Sequence, residues 1–277
     1  IDMLSQHLVT RPVFDALFPG YEFTDHNPVA RVMQAMLTAL EGSNLESETE
    51  ALAEFYESVR LRAAGIDNAE GKQRVITELY EKFFRLAFPR SADALGIVYT
   101  PTEIVDFILR SVNDLLVTEF GTTISAPGVH VLDPFTGTGT FITRLLASGL
   151  IAPEDLARKF TSELHANEIT LLAYYIAAAN IEATFHDLTA SFAADAVAPA
   201  SADPRAWVPF DGIVLADTFQ MSEQEDVLDG LVFRTNSERA ERQLDLDIRV
   251  IVGNPPYSVG QTSGNDNNAN LRYPSLD

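Results

Sequence analysis

Residues 129–141 read VHVLDPFTGTGTF, and this stretch decides the fold class. It begins with a short β-branched run typical of a buried strand, continues into a glycine-rich turn, and ends in an apolar helical pattern. Glycine has no Cβ atom, so a turn with two glycines lets the backbone approach a ligand closely. The stretch therefore predicts a strand, a ligand-binding turn and a helix, which together form a repeating unit of α/β proteins.

The same strand-then-helix order recurs downstream. Residues 166–169 and 171–182 predict a second strand and a second helix, and residues 212–216 and 248–252 predict two more buried strands. Strands that alternate with helices usually form a parallel sheet with helices on both faces. We therefore expect a doubly wound α/β domain over residues 99–277.

The preceding third of the chain has only helical patterns. Asn27 is predicted to be an N-cap with Pro28 at the first helical position, and residues 46–64 and 73–87 carry apolar side chains at helical spacing. No catalytic constellation is evident among them. We expect a small helical domain over residues 1–98.

Composition excludes several classes of protein. The chain has 277 residues, 46% of them hydrophobic, and no cysteine, which excludes disulfide scaffolds, thiolate metal sites and cysteine nucleophiles. The five histidines are scattered, so no metal site is expected. No apolar run approaches the roughly 18 residues of a membrane span. We expect a cytoplasmic protein without a membrane partner, and a chain that begins at Ile1 is expected to be part of a longer polypeptide.

The turn after the first predicted strand suits a cationic ligand. A third glycine would complete a dinucleotide-binding fingerprint, but that position holds Ile142. Asp133 would repel a phosphate and attract a cation at the start of the turn. A small cationic cofactor with an amino group, S-adenosylmethionine, fits this chemistry. The alternative is a tight strand-to-helix turn that needs glycine for a positive φ.

Asn254-Pro255-Pro256-Tyr257 is the second chemical signal. Consecutive prolines after a buried strand fix an extended loop at the carboxyl edge of the sheet, where ligands of doubly wound folds bind. The Asn254 side-chain carbonyl and the Pro255 backbone carbonyl could accept both N–H bonds of an amine, and the Tyr257 ring could stack on a flipped base. The alternative is an Asn-Pro turn with a core tyrosine.

Taken in order, these motifs resemble those of amino-group DNA methyltransferases that act on adenine N6 and have the γ motif order. The resemblance implies a Rossmann-like methyltransferase sheet, S-adenosylmethionine as cofactor, and catalysis by Asn254, Pro255, Pro256 and Tyr257. It implies that Glu168 binds the ribose hydroxyls and Asp217 the adenine amine of the cofactor. The other cofactor-binding residues it implies are Tyr99, Thr100, Pro101, Asp133, Pro134, Phe135, Thr136, Gly137, Gly139 and Phe141.

Residues 99–101, which the resemblance implies bind the cofactor, also predict a helix start. Thr100 is predicted to be an N-cap, with Pro101 at the first helical position and Glu103 completing a capping box.

Further stretches resemble the type ISP group of restriction-modification enzymes. They are residues 166–175 and the tail RYPSLD at 272–277. This resemblance implies that residues 1–98 are a coupler, that nuclease, helicase-like and target-recognition domains lie on the same polypeptide, and that the intact protein binds duplex DNA with a flipped adenine.

Two features depart from the family pattern. Glu168 follows Gly137 by 31 positions, where roughly 20 are expected, so Glu163 is an alternative ribose contact. The chain also ends 20 residues after Tyr257, so the later strands of such a sheet are missing. We expect this chain alone to be inactive.

Two other functions remain open at this stage. The Asn254 motif also serves methyltransferases that act on protein glutamine or on RNA guanine amines, and a non-catalytic module could bind the cofactor without reacting.

The net charge of −21, from 19 basic and 40 acidic residues, has the wrong sign for binding DNA phosphates. We therefore expect most of the DNA affinity to come from other parts of the polypeptide.

Overall fold

The computed structural model describes residues 2–17, 26–40, 61, 100–195, 208–221 and 232–255. Their longer helices are α1 (Asp2–Leu17), α2 (Pro28–Leu40), α3 (Thr102–Phe120), α4 (Thr140–Ala147), α6 (Leu171–Asp195) and α7 (Arg234–Leu244). The strands are β1 (His130–Asp133), β2 (Leu164–Glu168), β3 (Ile213–Leu215) and β4 (Ile248–Ile251). Short turns join α4 to β2: a 3₁₀ turn (Pro153–Asp155), α5 (Leu156–Arg158) and a π turn (Lys159–Glu163).

The four strands form one parallel sheet in the order β3-β2-β1-β4. Each lies within two residues of its predicted position, so the prediction of a parallel sheet is confirmed. β1 pairs with β2 on one side and with β4 on the other, for example through Val131 with Leu164 and with Val250. The structure is thus a mixed α/β arrangement around a small parallel sheet.

Local sequence signals placed one helix start correctly and another incorrectly. The Asn27 side chain accepts hydrogen bonds from the N–H groups of Val29 (3.1 Å) and Ala30 (3.0 Å), which confirms the predicted cap of α2. The predicted capping box at Thr100 is wrong. Pro101 is extended (ψ 139°) and itself occupies the N-cap position, so α3 begins at Thr102 without a side-chain cap.

Helix α6 runs well beyond the predicted residues 171–182, to Asp195. Its first part is buried on all sides. In the next turn, the Phe185 ring stacks on the Phe160 ring, with the ring centroids 3.8 Å apart. The extra turns are therefore stabilised by tertiary packing, which sequence periodicity does not report.

The amino-terminal helices share one core with the sheet region. Phe14, Val29 and Met33 belong to the same buried cluster as Tyr174 and Tyr175 of α6. His7 and Asn27 also hydrogen-bond to this pair, with His7 Nδ1 3.0 Å from Tyr175 Oη and Asn27 Nδ2 3.4 Å from Tyr174 Oη. The described part of residues 1–98 is helical as predicted and packs directly on α6. The boundary at residue 99, the predicted helix 73–87 and all of the predicted helix 46–64 except residue 61 lie outside the described residues.

A buried ion pair lies at the amino end of β2. The Lys159 ammonium is fully buried, 2.8 Å from a Glu163 carboxylate oxygen, and it also donates to the carbonyls of Ala126 and Val129. Glu163 accepts a further bond from the Gly128 N–H at 2.9 Å. Glu163 is therefore engaged in an ion pair at the end of β2 opposite to Glu168.

None of the described helices combines the length and apolar character that a membrane-spanning helix needs. Within the described ranges, no group of three or more His, Asp or Glu side chains could hold a metal ion.

Candidate functional site

The loops that follow the strands meet at the carboxyl edge of the sheet. The chain runs outward from β1 through β2 to β3 and then returns to place β4 on the other side of β1. The direction of winding reverses between β1 and β4, and ligands of open parallel sheets bind in the crevice at such a reversal. Asp133 ends β1 and Asn254 follows β4, so the two motifs singled out in the sequence flank this crevice.

Asp133 is a buried acid of this edge whose pKa is strongly raised. Its side chain is fully buried, one oxygen (Oδ1) accepts a bond from the Phe135 N–H at 3.1 Å, and the other (Oδ2) has no hydrogen-bond partner among the described residues. Burial raises the pKa of Asp133 to about 8, the Phe135 N–H opposes this rise, and the nearby Glu168 carboxylate adds to it. A buried carboxylate oxygen without a donor suits a cationic ligand.

The glycine turn has the backbone conformation of the alternative interpretation, a tight strand-to-helix turn with glycine at positive φ. Gly137 and Gly139 have φ values of 56° and 88°, in the left-handed region. A Cβ atom on Gly139 would lie 3.2 Å from the Cα of Ala177 in α6, so the helix also leaves little room for a side chain there. Both the turn and the close approach therefore require glycine.

Glu168 holds this turn from the neighbouring strand. One of its carboxylate oxygens accepts the Gly137 N–H at 2.9 Å, and the other accepts the N–H (2.8 Å) and the hydroxyl (2.7 Å) of Thr170. Burial raises the pKa of Glu168, while these hydrogen bonds oppose the rise. The sequence predicted Glu168 at this edge, and the structure adds that its carboxylate fixes the glycine turn.

The loop after β3 packs against the same turn. Asp217 Oδ1 accepts the Phe219 N–H at 3.0 Å, so Asp217 caps its own turn, a role compatible with the predicted cofactor contact. The Phe219 ring lies 5.5 Å from the Phe135 ring, and the Thr218 hydroxyl donates to the Pro134 carbonyl at 2.6 Å. The predicted residues Asp133, Pro134, Phe135 and Asp217 are thus brought together.

The end of β4 touches Asp133 directly. The Val252 N–H donates to the Leu132 carbonyl at 2.9 Å, which continues the pairing with β1 beyond the strand. A Cβ atom on Gly253 would lie only 2.7 Å from Asp133 Oδ1. Asn254 and Pro255 follow this contact, whereas Tyr99, Pro256 and Tyr257 lie outside the described residues.

The remaining predicted residues lie on the helices that flank the turn. Phe141 is buried in the first turn of α4. Thr100 and Pro101 precede α3, which is joined to α4 by a hydrogen bond from Arg144 Nε to Asp106 Oδ1 at 2.8 Å. A cofactor contact by Thr100 and Pro101 stays a prediction.

Three residues of the site were not found from the sequence. Gly253 and Thr218 are described above, and Asn180 of α6 donates its side-chain amide to the Thr138 carbonyl inside the glycine turn at 2.9 Å. Asn180 is buried and interrupts an apolar run that begins at Leu171. A buried amide in such a run needs a partner, so the interruption itself was an available signal.

The raised pKa of Asp133 predicts that Asp133→Asn is more stable than the wild type at pH 8. The folded chain holds the proton of this carboxyl group up to about pH 8 and the unfolded chain only up to about 3.8, so the native state loses stability as the pH rises between these values. The expected difference between the two proteins in the free energy of unfolding at pH 8 is on the order of a few kcal/mol. Urea unfolding of both proteins at pH 5 and pH 8 measures it. Identical pH dependences would contradict a protonated, buried Asp133.

Comparison with known proteins gives one family match and several similar structures. Residues 1–71 match the coupler domain of Type ISP restriction-modification enzymes. The structure is similar to that of a nuclease-deletion mutant of the Type ISP restriction-modification enzyme LlaGI in complex with a DNA substrate mimic, with 49% sequence identity and a TM-score of 0.84 over 99% of this chain. No curated protein matches the sequence.

Two more solved structures are similar over 99% of the chain. The ATP-dependent Type ISP restriction-modification enzyme LlaBIII bound to DNA has 48% identity and a TM-score of 0.85, and the DrdV–DNA complex has 36% identity and a TM-score of 0.85. The chain spans 21% of the LlaGI chain, 18% of the LlaBIII chain and 25% of the DrdV chain. Along almost its whole length, the chain is therefore similar to one region of Type ISP restriction-modification enzymes, a region that includes their coupler domain.

Proposed function

We propose that the carboxyl edge of this sheet binds S-adenosylmethionine and that the region is the Rossmann-like methyltransferase part of a Type ISP restriction-modification enzyme. The observation that carries the proposal is the buried Asp133 carboxyl group, whose Oδ2 atom has no partner within the described part of the chain and whose Oδ1 atom lies against Gly253, next to Asn254. An unpartnered acidic oxygen fits the amino group or the sulfonium charge of this cofactor and disfavours a phosphate.

Each residue of this sheet edge has its own proposed role in cofactor binding. Asp133 would hold positive charge, and the ionised form of its carboxyl group is favoured as soon as a cation is bound. The glycine turn brings backbone close to the ligand, while Glu168 and Asp217 lie at the ends of the neighbouring strands. The bound cofactor supplies an activated methyl group.

The residues after β4 would orient the accepting amine. The Asn254 side-chain carbonyl and the Pro255 backbone carbonyl can both accept hydrogen bonds from one amino group, and these bonds draw its nitrogen away from conjugation with the ring. The amine then becomes a better nucleophile without a strong base. Tyr257 would stack on the flipped base that carries the amine.

Adenine N6 of duplex DNA is the substrate that we propose. The solved structures of LlaGI, LlaBIII and DrdV contain DNA or a DNA mimic, which supports a DNA substrate over protein glutamine or RNA guanine. LlaGI is described as a nuclease-deletion mutant and LlaBIII as ATP-dependent, so we propose that nuclease, ATP-driven and target-recognition parts accompany this region.

Isothermal titration calorimetry of S-adenosylmethionine against the 277-residue chain tests the proposal. We expect saturable one-site binding that Asp133→Asn weakens, because the variant has no charge to pair with the cofactor. A folded wild-type chain that releases no heat would contradict the proposal. Binding without methyl transfer by the full-length protein to DNA, protein or RNA would favour a non-catalytic cofactor-binding module.

A further inference from the structure

A single peptide group of the glycine turn is held at both of its ends. The Pro134 carbonyl accepts a hydrogen bond from the Thr218 hydroxyl at 2.6 Å, and the Phe135 N–H donates to Asp133 Oδ1 at 3.1 Å. This carbonyl and this N–H belong to the same planar peptide unit, so they rotate together. Thr218 and Asp133 therefore hold one rigid group from opposite sides.

Two side-chain hydrogen bonds restrain this peptide group among the described residues. The group turns through the ψ of Pro134 and the φ of Phe135, while the ring of Pro134 fixes only the preceding φ. If the Thr218 bond were lost, a rotation about ψ would also remove the Phe135 N–H from the Asp133 carboxylate. The Thr218 hydroxyl thus determines where that N–H points.

Thr218 is itself held in place by β2. The Asn167 amide lies 3.4 Å from the Thr218 hydroxyl oxygen, a long hydrogen bond in which the hydroxyl accepts, so its own proton is available for the Pro134 carbonyl. The Asn167 backbone carbonyl accepts the Thr136 N–H at 2.9 Å on the other side of the turn. The end of β2, the loop after β3 and the glycine turn therefore form one connected network.

We propose that Thr218 is a positioning residue of the cofactor site. It keeps Asp133 Oδ1 bonded within the turn, so that Oδ2 remains the oxygen available to a cationic group. This inference rests on the proposed function, because the cation is the proposed S-adenosylmethionine.

Thr218 also controls how easily Asp133 ionises. The Phe135 N–H is the contact that lowers the pKa of this carboxyl group against burial and against the Glu168 carboxylate. Asp217, beside Thr218 on the loop after β3, is a further acid of this edge. Both acids remain in a Thr218 variant, so loss of the N–H bond alone would raise the pKa of Asp133 and move cofactor binding to higher pH.

The test is calorimetric binding of S-adenosylmethionine to wild type, Thr218→Val and Thr218→Ser between pH 6 and pH 9. Valine has the shape of threonine without the hydroxyl, whereas serine keeps the hydroxyl. We expect Thr218→Val to bind about tenfold more weakly at pH 7.5, with the midpoint of its pH profile about one unit higher, and Thr218→Ser to bind within about threefold of wild type.

Equal affinities and equal pH profiles for wild type and Thr218→Val would overturn the inference. A uniform loss in both variants, without a change in the pH profile, would also overturn it, since that pattern indicates packing only. A folded wild type that binds no cofactor would contradict the proposed function itself. Thr218→Ala is the second variant without a hydroxyl, and it should reproduce the valine result.

Discussion

Asn254→Ala is expected to abolish methyl transfer to DNA in the full-length protein, lowering kcat by at least about 10³-fold. Its cofactor affinity is expected to stay within about twofold of wild type. In the proposed function, the side-chain carbonyl of Asn254 acts on the accepting amine, whereas the proposed cofactor contacts lie on the glycine turn and at the ends of β2 and β3. Gly253 fixes the backbone just before Asn254 against Asp133, so truncation at Asn254 leaves that contact in place. Single-turnover transfer of a labelled methyl group to duplex DNA measures the loss.

Calorimetric cofactor binding is the control for this variant. Asn254→Asp keeps one acceptor oxygen at the same position, and we expect it to retain more activity than alanine. If Asn254→Ala loses cofactor binding together with activity, Asn254 has a structural role and the proposed division between cofactor and substrate residues is wrong.

Glu163→Ala is expected to lower the free energy of unfolding by about 3–5 kcal/mol. Glu163 is the buried counter-ion of Lys159, whose side chain is 0% exposed, and it also accepts the Gly128 N–H. Its removal leaves a buried ammonium with only the Ala126 and Val129 carbonyls as partners. Urea unfolding at pH 7 measures the change.

Glu154→Ala is the matched control, because Glu154 lies in the first of the turns between α4 and β2 and is exposed. We expect it to change the unfolding free energy by less than about 0.5 kcal/mol. A double variant Lys159→Met/Glu163→Leu should cost less than Glu163→Ala, since it removes both buried charges. An equal loss in Glu154→Ala and Glu163→Ala would contradict the importance of the ion pair.

The same ion pair predicts sensitivity to acid. Burial alone would raise the pKa of Glu163, but the hydrogen bonds from Lys159, Gly128 and Arg158 lower it below its ordinary value of 4.5. A carboxylate whose pKa is lowered by folding contributes stability above its unfolded pKa and loses it as the pH falls through the folded one. The difference in the free energy of unfolding between wild type and Glu163→Ala should therefore decrease below about pH 4.5.

Local signals in the sequence predicted much of the fold. The Asn27 cap and the strand positions depend on neighbours within a few residues, and both were predicted correctly. The positive φ of the two turn glycines is the alternative that the sequence left open for this segment. The start of α3 was misplaced by one residue because Pro101 is extended. The end of α6 was misplaced because the stacked rings of Phe160 and Phe185 are distant in sequence.

The candidate site could be predicted only in part. Asp133, Glu168, Asp217 and Asn254 were identified because each lies at or just after the carboxyl end of a predicted strand, and parallel strands bring these ends to one edge. The partners of these residues were not predictable in the same way. Thr218 and Pro134 are separated by 84 positions, and nothing local to either residue indicates their hydrogen bond.

The sequence by itself determined that this protein has a parallel α/β sheet with a glycine turn after Asp133 and an Asn-Pro-Pro-Tyr segment after the last described strand, because strand, turn and cap preferences act over a few residues. Only the tertiary structure decided that Asp133 is fully buried with one oxygen that has no partner among the residues described, that Gly253 lies against it, and that Thr218 holds the Pro134–Phe135 peptide group. Burial and these contacts depend on strand order and on loops far apart in the chain, and they set the pKa of Asp133.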